Sequence, residues 1–289
     1  MILLGQNKPH NINLTKSASG ENMYQNPVHP QYFRRSFDDF GGKISFIVTD
    51  LIQRLREMNG QNTEGIFRIS GATRDISELC LELDSGRVSD WTKYANVHTI
   101  SCALKKYFRD MVQTNPLLPT EFYDEFVQIP IETKTNDEAV AKFREIIGKL
   151  TKARKITFSF LFQYLFEITQ SPTSKMNANN LSIVFSPNLL YSKDINSPDL
   201  KIKYNSLQNK AVAMVIENYD KIFIDIDVNE RCFITDDDMD VIKIPPFSEN
   251  DIKKLGELRR ESLIPFIPNS LLNSQSLIRP TRTVDVPKE

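Results

Sequence analysis

An arginine lies among apolar residues in a loop bounded by glycines. Arg68 stands in the stretch NTEGIFRISG, residues 62–71, between Gly65 and Gly71. Its apolar neighbours are Ile66, Phe67 and Ile69. A guanidinium is always charged and presents a planar fork of donors that suits phosphate and carboxylate oxygens. An isolated loop arginine is more often a surface residue or a donor to backbone carbonyls than a catalytic group, so this stretch alone leaves the role of Arg68 open.

A second pair of cations, Lys105 and Arg109, is four residues apart in the stretch HTISCALKKYFRDM. On a helix with about 100° per residue, the two side chains are separated by about 40°. Both are predicted to project from the exposed side, away from the apolar stripe of the same helix. A solvated helix face gives the same pattern, so the pair becomes informative only together with other features.

The composition is that of a soluble globular protein. Of the 289 residues, 40% are hydrophobic and 25% are charged, with 36 basic against 37 acidic side chains. Nucleic-acid-binding domains are usually strongly basic, so nucleic acid is not an expected partner. The length leaves room for one good-sized domain with tails, or for two small domains.

The cysteines and the apolar segments bear on location. Cys80, Cys102 and Cys232 are far apart and odd in number. They predict neither a disulfide framework nor a zinc site, and they fit a reducing, cytoplasmic compartment. The N-terminal MILLGQNKPH has too short an apolar run for a secretory signal, and neither end carries a lipidation motif. The most apolar segment, 156–168, is shorter than the roughly 20 residues that span a bilayer and predicts a buried helix.

Apolar residues at steps of three and four predict a helical fold. The predicted helices cover 44–58, 73–86, 98–111, 135–150, 156–168, 175–185 and 209–223. Thr73 is the expected N-cap of the second helix, and Thr135 with Glu138 has capping-box spacing in the fourth. Pro187 is expected to end the sixth helix near Phe185, because the residue before a proline is disfavoured in helical geometry. We find no sustained strand period and no fixed repeat.

These patterns predict an all-α fold with one helical domain at 37–225. A flexible N-terminal arm covers 1–36, and an acidic, partly disordered tail covers 226–289. The tail contains the acidic run TDDDMD, which lacks the spacing of an EF-hand loop and is interpreted as solvated. It also contains a possible helix at 248–263, with Ser262 in a sequence, RRES, that fits a basophilic kinase site.

Three segments, taken in order, closely resemble the RhoGAP family of GTPase-activating domains. EGIFRISG resembles the arginine-finger loop of that family, and VHTISCALKKYFRD resembles its central helix with lysine and arginine four residues apart. KMNANNLSIVFSPNLL resembles its late Asn-Leu and Pro-Asn segment. The resemblance implies an all-helical domain that binds the GTP-bound form of a Rho-family small GTPase and accelerates GTP hydrolysis. Rho signalling and regulation of the cytoskeleton are the implied setting.

By this resemblance Arg68 is the catalytic arginine finger, inserted in trans into the GTPase. Negative charge shifts among the γ-phosphoryl and bridging oxygens during hydrolysis, and a guanidinium neutralises it. Gly65 and Gly71 would let the loop bend and approach closely. Anchoring of the loop to the core is assigned to Ile66, Phe67 and Ile69.

The same match assigns further roles. Lys105 and Arg109 would contact the GTPase or brace the finger loop, and Asn188 would hydrogen-bond the GTPase switch region. Asn180 would support the local backbone, and His98, near a helix start, would be a packing or capping residue and not an acid/base group. The GTPase supplies the nucleotide, the magnesium ion and the water-orienting residue. The chain is therefore expected to need no cofactor or metal of its own, and to be an activator and not a self-sufficient enzyme.

Two stretches depart from the family pattern, and one alternative remains. RDMVQTNPLLP is longer than the usual Leu-Pro-Glu-Pro-Leu run, so the path of that loop is not predicted. In LTKAR, Thr151 and Arg154 replace the usual Leu-Pro-x-x-Asn, so the usual cap of the next helix is expected to be absent. Family members that lack the arginine serve as non-catalytic GTPase-binding adaptors. That alternative is disfavoured because this chain keeps Arg68, Lys105, Arg109 and Asn188 together.

Overall fold

The computed structural model describes residues 32–33, 35–192 and 198–241, and this part of the chain is mostly helical. Its helices are α1 (Phe46–Glu57), α2 (Thr73–Ser85), α3 (Val97–Met111), α4 (Tyr123–Glu132), α5 (Asn136–Lys149), α6 (Lys152–Thr169), α7 (Ala178–Leu189), α8 (Pro198–Glu217), α9 (Tyr219–Ile222) and α10 (Asp236–Val241). Extended pairing within these residues is limited to an isolated bridge between Ile44 and Phe233. The all-α prediction is confirmed. The kinase-site prediction at Ser262 lies outside the described residues.

The core is a layer of helices packed around α6 and α3. α3 packs against α1, α2 and α7, while α8 packs against α4, α6 and α7. The predicted buried helix is confirmed: α6 buries both of its faces, including Phe158, Phe162 and Tyr164. No helix in the described ranges is long and apolar enough to cross a membrane.

Several helix boundaries differ from prediction. Ala72, not Thr73, is the N-cap residue of α2 and makes no side-chain cap bond. α7 continues through Pro187 to Leu189, because the proline lies in the last turn and removes only one donor there. α8 begins at Pro198, well before the predicted start, and α4 was not predicted at all, since Pro130 interrupts its pattern.

The start of α6 has a cap, although the residues of the usual family pattern are replaced there. Thr151 is its N-cap, and the Thr151 hydroxyl accepts a hydrogen bond from the backbone N–H of Arg154 at 3.4 Å. The buried Arg154 side chain donates to the carbonyl of Pro116 at 2.5 Å and to Asp38 at 3.1 Å. The two substituted positions therefore supply a cap and a tie to the loop after α3.

The chain returns to the start of α1 after residue 225. The backbone N–H of Ile44 donates to the carbonyl of Cys232 at 2.8 Å, and Phe233 lies edge-on to Phe160 at 5.1 Å. Ile234 is buried. Ion pairs follow: Lys43 with Asp238 at 2.7 Å, and Arg87 with Asp236 at 2.9 Å and Asp50 at 2.5 Å. The acidic run is thus partly paired and not wholly solvated.

A cut after residue 225 is expected to destabilise the domain. It would remove Ile234 and Phe233 from the core, and burial of one such side chain stabilises by about 1.5–3 kcal/mol. We expect a chain ending at 225 to unfold at lower urea than one ending at 241, with a free energy of unfolding lower by about 3 kcal/mol or more. Equal urea midpoints for the two chains would contradict this packing. A test of self-inhibition by the tail should therefore cut after 241.

Candidate functional site

The Arg68 loop, residues 59–71, is attached to the segment that precedes α7. The backbone N–H of Gly65 donates to the carbonyl of Ser174 at 2.8 Å, and the hydroxyl of Thr173 donates to the carbonyl of Asn62 at 2.8 Å. Lys175 forms an exposed ion pair with Glu64 at 2.8 Å. The hydrogen bond from Lys175, with a contribution from Arg68, lowers the pKa of Glu64. The loop is therefore fixed on one side before it reaches the arginine.

A tight turn sets the direction of Arg68. The backbone N–H groups of Arg68 and Ile69 both donate to the carbonyl of Gly65 at 2.9 Å. Gly65 has φ +67°, and Phe67 has φ 66°, a left-handed conformation that costs a non-glycine residue about 1–2 kcal/mol. Burial of the phenyl ring repays that cost, since it stabilises by about 1.5–3 kcal/mol. Phe67 is fully buried, and Arg68 is exposed.

Phe67 is held between two aromatic rings. Its ring lies 4.8 Å from that of Phe185 on α7 and 6.2 Å from that of Tyr164 on α6, both edge-on. Ile66 is also buried. The expectation that Ile69 joins this anchor is wrong, because Ile69 is 44% exposed. After the left-handed turn its side chain lies over Gly65, where an added Cβ would meet Ile69 Cδ1 at 2.8 Å.

Gly71 brings the end of the loop against the start of α3. A Cβ at this position would lie 2.7 Å from the backbone nitrogen of Thr99 and 2.8 Å from its Cα. Backbone atoms in a helix cannot move aside as a flexible side chain can, so the close approach requires glycine. The two glycines thus serve different purposes. Gly65 adopts a positive φ, and Gly71 allows the loop to approach the backbone of α3 closely.

α3 also holds the loop through its side chains. The ammonium of Lys105 donates to the carbonyl of Phe67 at 2.5 Å, and the thiol of Cys102 lies 3.9 Å from the carbonyl of Ile69. Burial lowers the pKa of Lys105. Lys105 is half-buried, so the prediction that it projects into solvent beside Arg109 is wrong. Its methylene stem crosses toward the loop instead.

Arg109 and Asn188 lie on the neighbouring surface. The Arg109 side chain is 65% exposed and lies 4.0 Å from Asp110. Asn188, half-exposed at the end of α7, donates from Nδ2 to the carbonyl of Val184 at 2.7 Å. α3 and α7 pack together beside the loop, so the predicted site residues Arg68, Lys105, Arg109 and Asn188 belong to three adjacent elements. Two of these side chains, Arg68 and Arg109, are exposed.

Asn180 and His98 lie at helix starts. The backbone N–H of Asn180 donates to the Asn177 cap at 2.8 Å, and its Nδ2 donates to the carbonyl of Lys175 at 3.5 Å. The cap of α3 is Asn96, whose side chain accepts from the backbone N–H of His98 at 2.9 Å. His98 therefore does not cap its helix. Burial, with Lys105 nearby, lowers the pKa of His98, which keeps the imidazole neutral at pH 7.

Sequence reasoning missed Tyr164 and the close contact beneath it. An added Cβ on Gly60 would lie 2.7 Å from the Tyr164 hydroxyl, so the start of the loop rests on the same ring that Phe67 contacts. Periodicity shows only that Tyr164 is apolar and buried.

The described residues contain no group of His, Cys, Asp and Glu that could hold a metal ion. The arrangement presents a guanidinium from a rigid turn, which is suited to binding anionic oxygens on a partner.

The comparison with family models matches residues 45–194 to the RhoGAP domain, a range that contains the Arg68 loop, α3 and α7. The chain belongs to the RhoGAP family. This confirms the resemblance on which the site was assigned. The matched range ends at residue 194, before α8 begins. Helices α8–α10 therefore lie beyond the range that the family model matches.

Curated relatives are similar over the same part of the chain. The Rho GTPase-activating protein gacY of Dictyostelium discoideum is 33% identical over 165 residues, which is 57% of this chain and 22% of that protein. Unconventional myosin-IXa of Homo sapiens is 32% identical over 174 residues, 60% of this chain and 7% of that protein. The chain thus spans less than a quarter of the length of either relative.

Solved structures share the fold. Human Rho GTPase activating protein 15 aligns with a TM-score of 0.62 at 24% identity, covering 68% of this chain and 93% of that one. The BH domain from Graf, the GTPase regulator associated with focal adhesion kinase, aligns with a TM-score of 0.55 at 24% identity. The alignment covers 66% of this chain and 98% of that one. At this identity the likeness concerns the fold.

Proposed function

We propose that this chain is a GTPase-activating protein that stimulates GTP hydrolysis by a Rho-family small GTPase in its GTP-bound form. The observation that carries the proposal is the exposed Arg68 guanidinium on a turn whose preceding residue, Phe67, is fully buried. Membership of the RhoGAP family supports the same role, as does the name of the relative gacY, a Rho GTPase-activating protein.

Arg68 is the arginine finger in this proposal. Its guanidinium enters the GTPase site and donates to the γ-phosphoryl and bridging oxygens, where negative charge develops as the bond to the leaving group breaks. An arginine supplied in this way raises turnover by about 10³- to 10⁵-fold in GTPases. The planar fork allows two donors to act at once, which a lysine cannot do.

The neighbouring residues hold the finger and the partner. Lys105 fixes the carbonyl of Phe67, one peptide unit before Arg68. We assign the exposed Arg109 to the surface of the GTPase, and the polar atoms that Asn188 does not use within α7 to the switch region. Asn180, His98 and the two glycines support the backbone of the site.

The nucleotide, the magnesium ion and the water-orienting residue belong to the GTPase in this proposal. The chain itself is assigned no cofactor and acts only as one half of a composite site. We place the activity in the cytoplasm, a reducing compartment in which free cysteines persist. Cys80, Cys102 and Cys232 are free and buried.

The test is single-turnover GTP hydrolysis by a panel of purified Rho-type and Ras-type GTPases, with and without this protein. We expect acceleration of at least one Rho-type member. Acceleration of none, with a protein shown to be folded by its thermal transition, would contradict the proposal. Binding to a GTP-loaded Rho-type GTPase without acceleration would establish the adaptor alternative instead.

A further inference from the structure

A cation on α1 is enclosed by two rings of α6 behind the Arg68 loop. The guanidinium carbon of Arg56 lies 5.3 Å from the centre of the Phe160 ring and 5.6 Å from that of Tyr164. Both distances fall within the range of cation–π attraction. The two rings are four residues apart on one face of α6, so the guanidinium connects α1 to that face.

The Arg56 guanidinium is also fixed in its own plane. Its Nε and Nη2 donate to the two carboxylate oxygens of Glu167 at 3.0 and 2.7 Å, and Nη2 lies 3.5 Å from Gln163 Oε1. A two-bond pair of this kind defines orientation as well as attraction. Both side chains are about one-third exposed, so the pair contributes little to stability as an ion pair. Its main physical consequence is a fixed position for the guanidinium against the Tyr164 ring.

Tyr164 contacts the Arg68 loop at two places. Its ring contacts the ring of Phe67 at 6.2 Å with planes 77° apart. Its hydroxyl lies beneath Gly60, where an added Cβ would be 2.7 Å away. Tyr164 therefore supports both the start of the loop and the residue before Arg68. The left-handed backbone of Phe67 is a costly conformation that the burial of its ring maintains, so displacement of that ring would release the turn from which Arg68 leaves.

We propose that Arg56 and Tyr164 are positioning residues for Arg68. Arg56 holds the ring of Tyr164, Tyr164 holds the ring of Phe67 and the loop start at Gly60, and Phe67 sets the direction of the finger. This inference rests on the proposed function of Arg68 as an arginine finger. Neither residue touches the GTPase or the nucleotide in this scheme, so their effect is on the maximal rate and not on binding.

The test compares Arg56→Met with Arg54→Met. Arg54 is on the same helix and pairs with Glu57 at 3.0 Å, away from the α6 rings, which makes it a matched control. In single-turnover hydrolysis with increasing protein, we expect Arg56→Met to lower the maximal rate by about 10-fold, since misplacement by a fraction of an ångström is costly in catalysis. The half-saturating concentration is expected to stay within about twofold, and Arg54→Met is expected to match wild type.

A double variant separates positioning from general support of the fold. In an Arg68→Ala background the stimulated rate is already lost, so the readout is binding: Arg56→Met should leave the affinity for the GTP-loaded partner unchanged, because Arg56 acts only through the finger. Arg56→Lys keeps the cation but not its two-bond plane, and is expected to recover part of the rate. If Arg56→Met does not fold, Arg56→Lys and Glu167→Gln carry the same comparison. A wild-type maximal rate in these variants, or weaker binding of the GTP-loaded partner when Arg56→Met is added to Arg68→Ala, would overturn the inference.

Hydrogen exchange gives a readout that needs no GTPase. The amides of Arg68 and Ile69 donate to Gly65, so loosening of the turn in Arg56→Met should speed their exchange, while Arg54→Met should not. Unchanged exchange in Arg56→Met would count against the inference. If wild type accelerates no GTPase, the proposed function fails, and exchange still decides whether Arg56 holds the loop.

Discussion

Replacing Arg68 by alanine is expected to lower GTP hydrolysis stimulated by this protein by about 10³- to 10⁵-fold, to the rate of the GTPase alone. The guanidinium is the only part of the turn that the proposed mechanism brings to the phosphoryl oxygens. The rest of the turn is held independently of it, by the Phe67 ring and by Lys105. Affinity for the GTP-loaded partner should therefore change little. Single-turnover hydrolysis and a binding titration on the same GTPase measure the two effects.

Three comparisons make the Arg68 result specific. Arg68→Lys keeps a positive charge without the planar fork and should recover only a small part of the rate. Arg231→Ala removes an exposed arginine from the short helix Glu230–Cys232, which lies outside the Arg68 loop, α3 and α7, and it should leave the rate unchanged. The thermal transition of Arg68→Ala should match wild type, because the side chain is exposed. Full stimulation by Arg68→Ala would exclude the arginine-finger mechanism for this chain.

The helices and the site residues differ in how far the sequence predicts them. α1, α3 and α5 follow from their apolar stripes, and Thr135 caps α5 as its spacing indicates. α4 escapes the same reasoning because Pro130 breaks the local pattern while packing against α8 and α5 stabilises the helix. Local propensity is a weak prior that tertiary packing overrides.

At the site, the sequence predicts which residues are present, but it does not predict the directions in which their side chains point. The positions of Arg68, Lys105 and Asn188 follow from motif spacing, but the left-handed turn at Phe67 depends on rings from α6 and α7, which are distant in sequence. That turn exposes Ile69 and brings the Phe67 carbonyl to Lys105. Helical periodicity predicts the direction in which the Lys105 side chain leaves α3. The final position of its ammonium depends on the hydrogen bond to the Phe67 carbonyl in the neighbouring loop.

Lys105→Met is expected to lower the maximal stimulated rate by about 10- to 100-fold, since the carbonyl before Arg68 loses its fixed donor and the finger can shift by a fraction of an ångström. Methionine is unbranched and keeps most of the length of the lysine stem, so the packing of α3 against the loop is largely retained. The loss of this hydrogen bond from a charged donor costs about 1.5–3 kcal/mol of stability. Removal of a partly buried charge works in the opposite direction, as the lowered pKa of Lys105 indicates. We therefore expect a large change in rate with a small change in thermal transition.

The pH dependence of stability gives Lys105 a second signature. Burial lowers its pKa in the folded state, so the unfolded chain binds this proton more tightly than the folded chain does. The charged form costs stability below the folded-state pKa, and this cost disappears as pH rises toward the unfolded value of about 10.4. Wild type should therefore gain free energy of unfolding relative to Lys105→Met in that alkaline window. A difference between the two proteins that is constant with pH would contradict the burial argument.

Lys106→Met is the matched control, because Lys106 is the next residue of α3 and pairs with Asp110 at 2.5 Å, away from the loop. It should keep the wild-type maximal rate and half-saturating concentration. The two roles that the sequence left open for Lys105 predict different kinetics: bracing of the loop lowers the maximal rate, whereas direct contact with the GTPase raises the half-saturating concentration. The hydrogen bond to Phe67 favours the first outcome. A wild-type maximal rate with weakened binding in Lys105→Met would assign Lys105 to the partner surface, and the position of Phe67 would then depend on the rings of Phe185 and Tyr164.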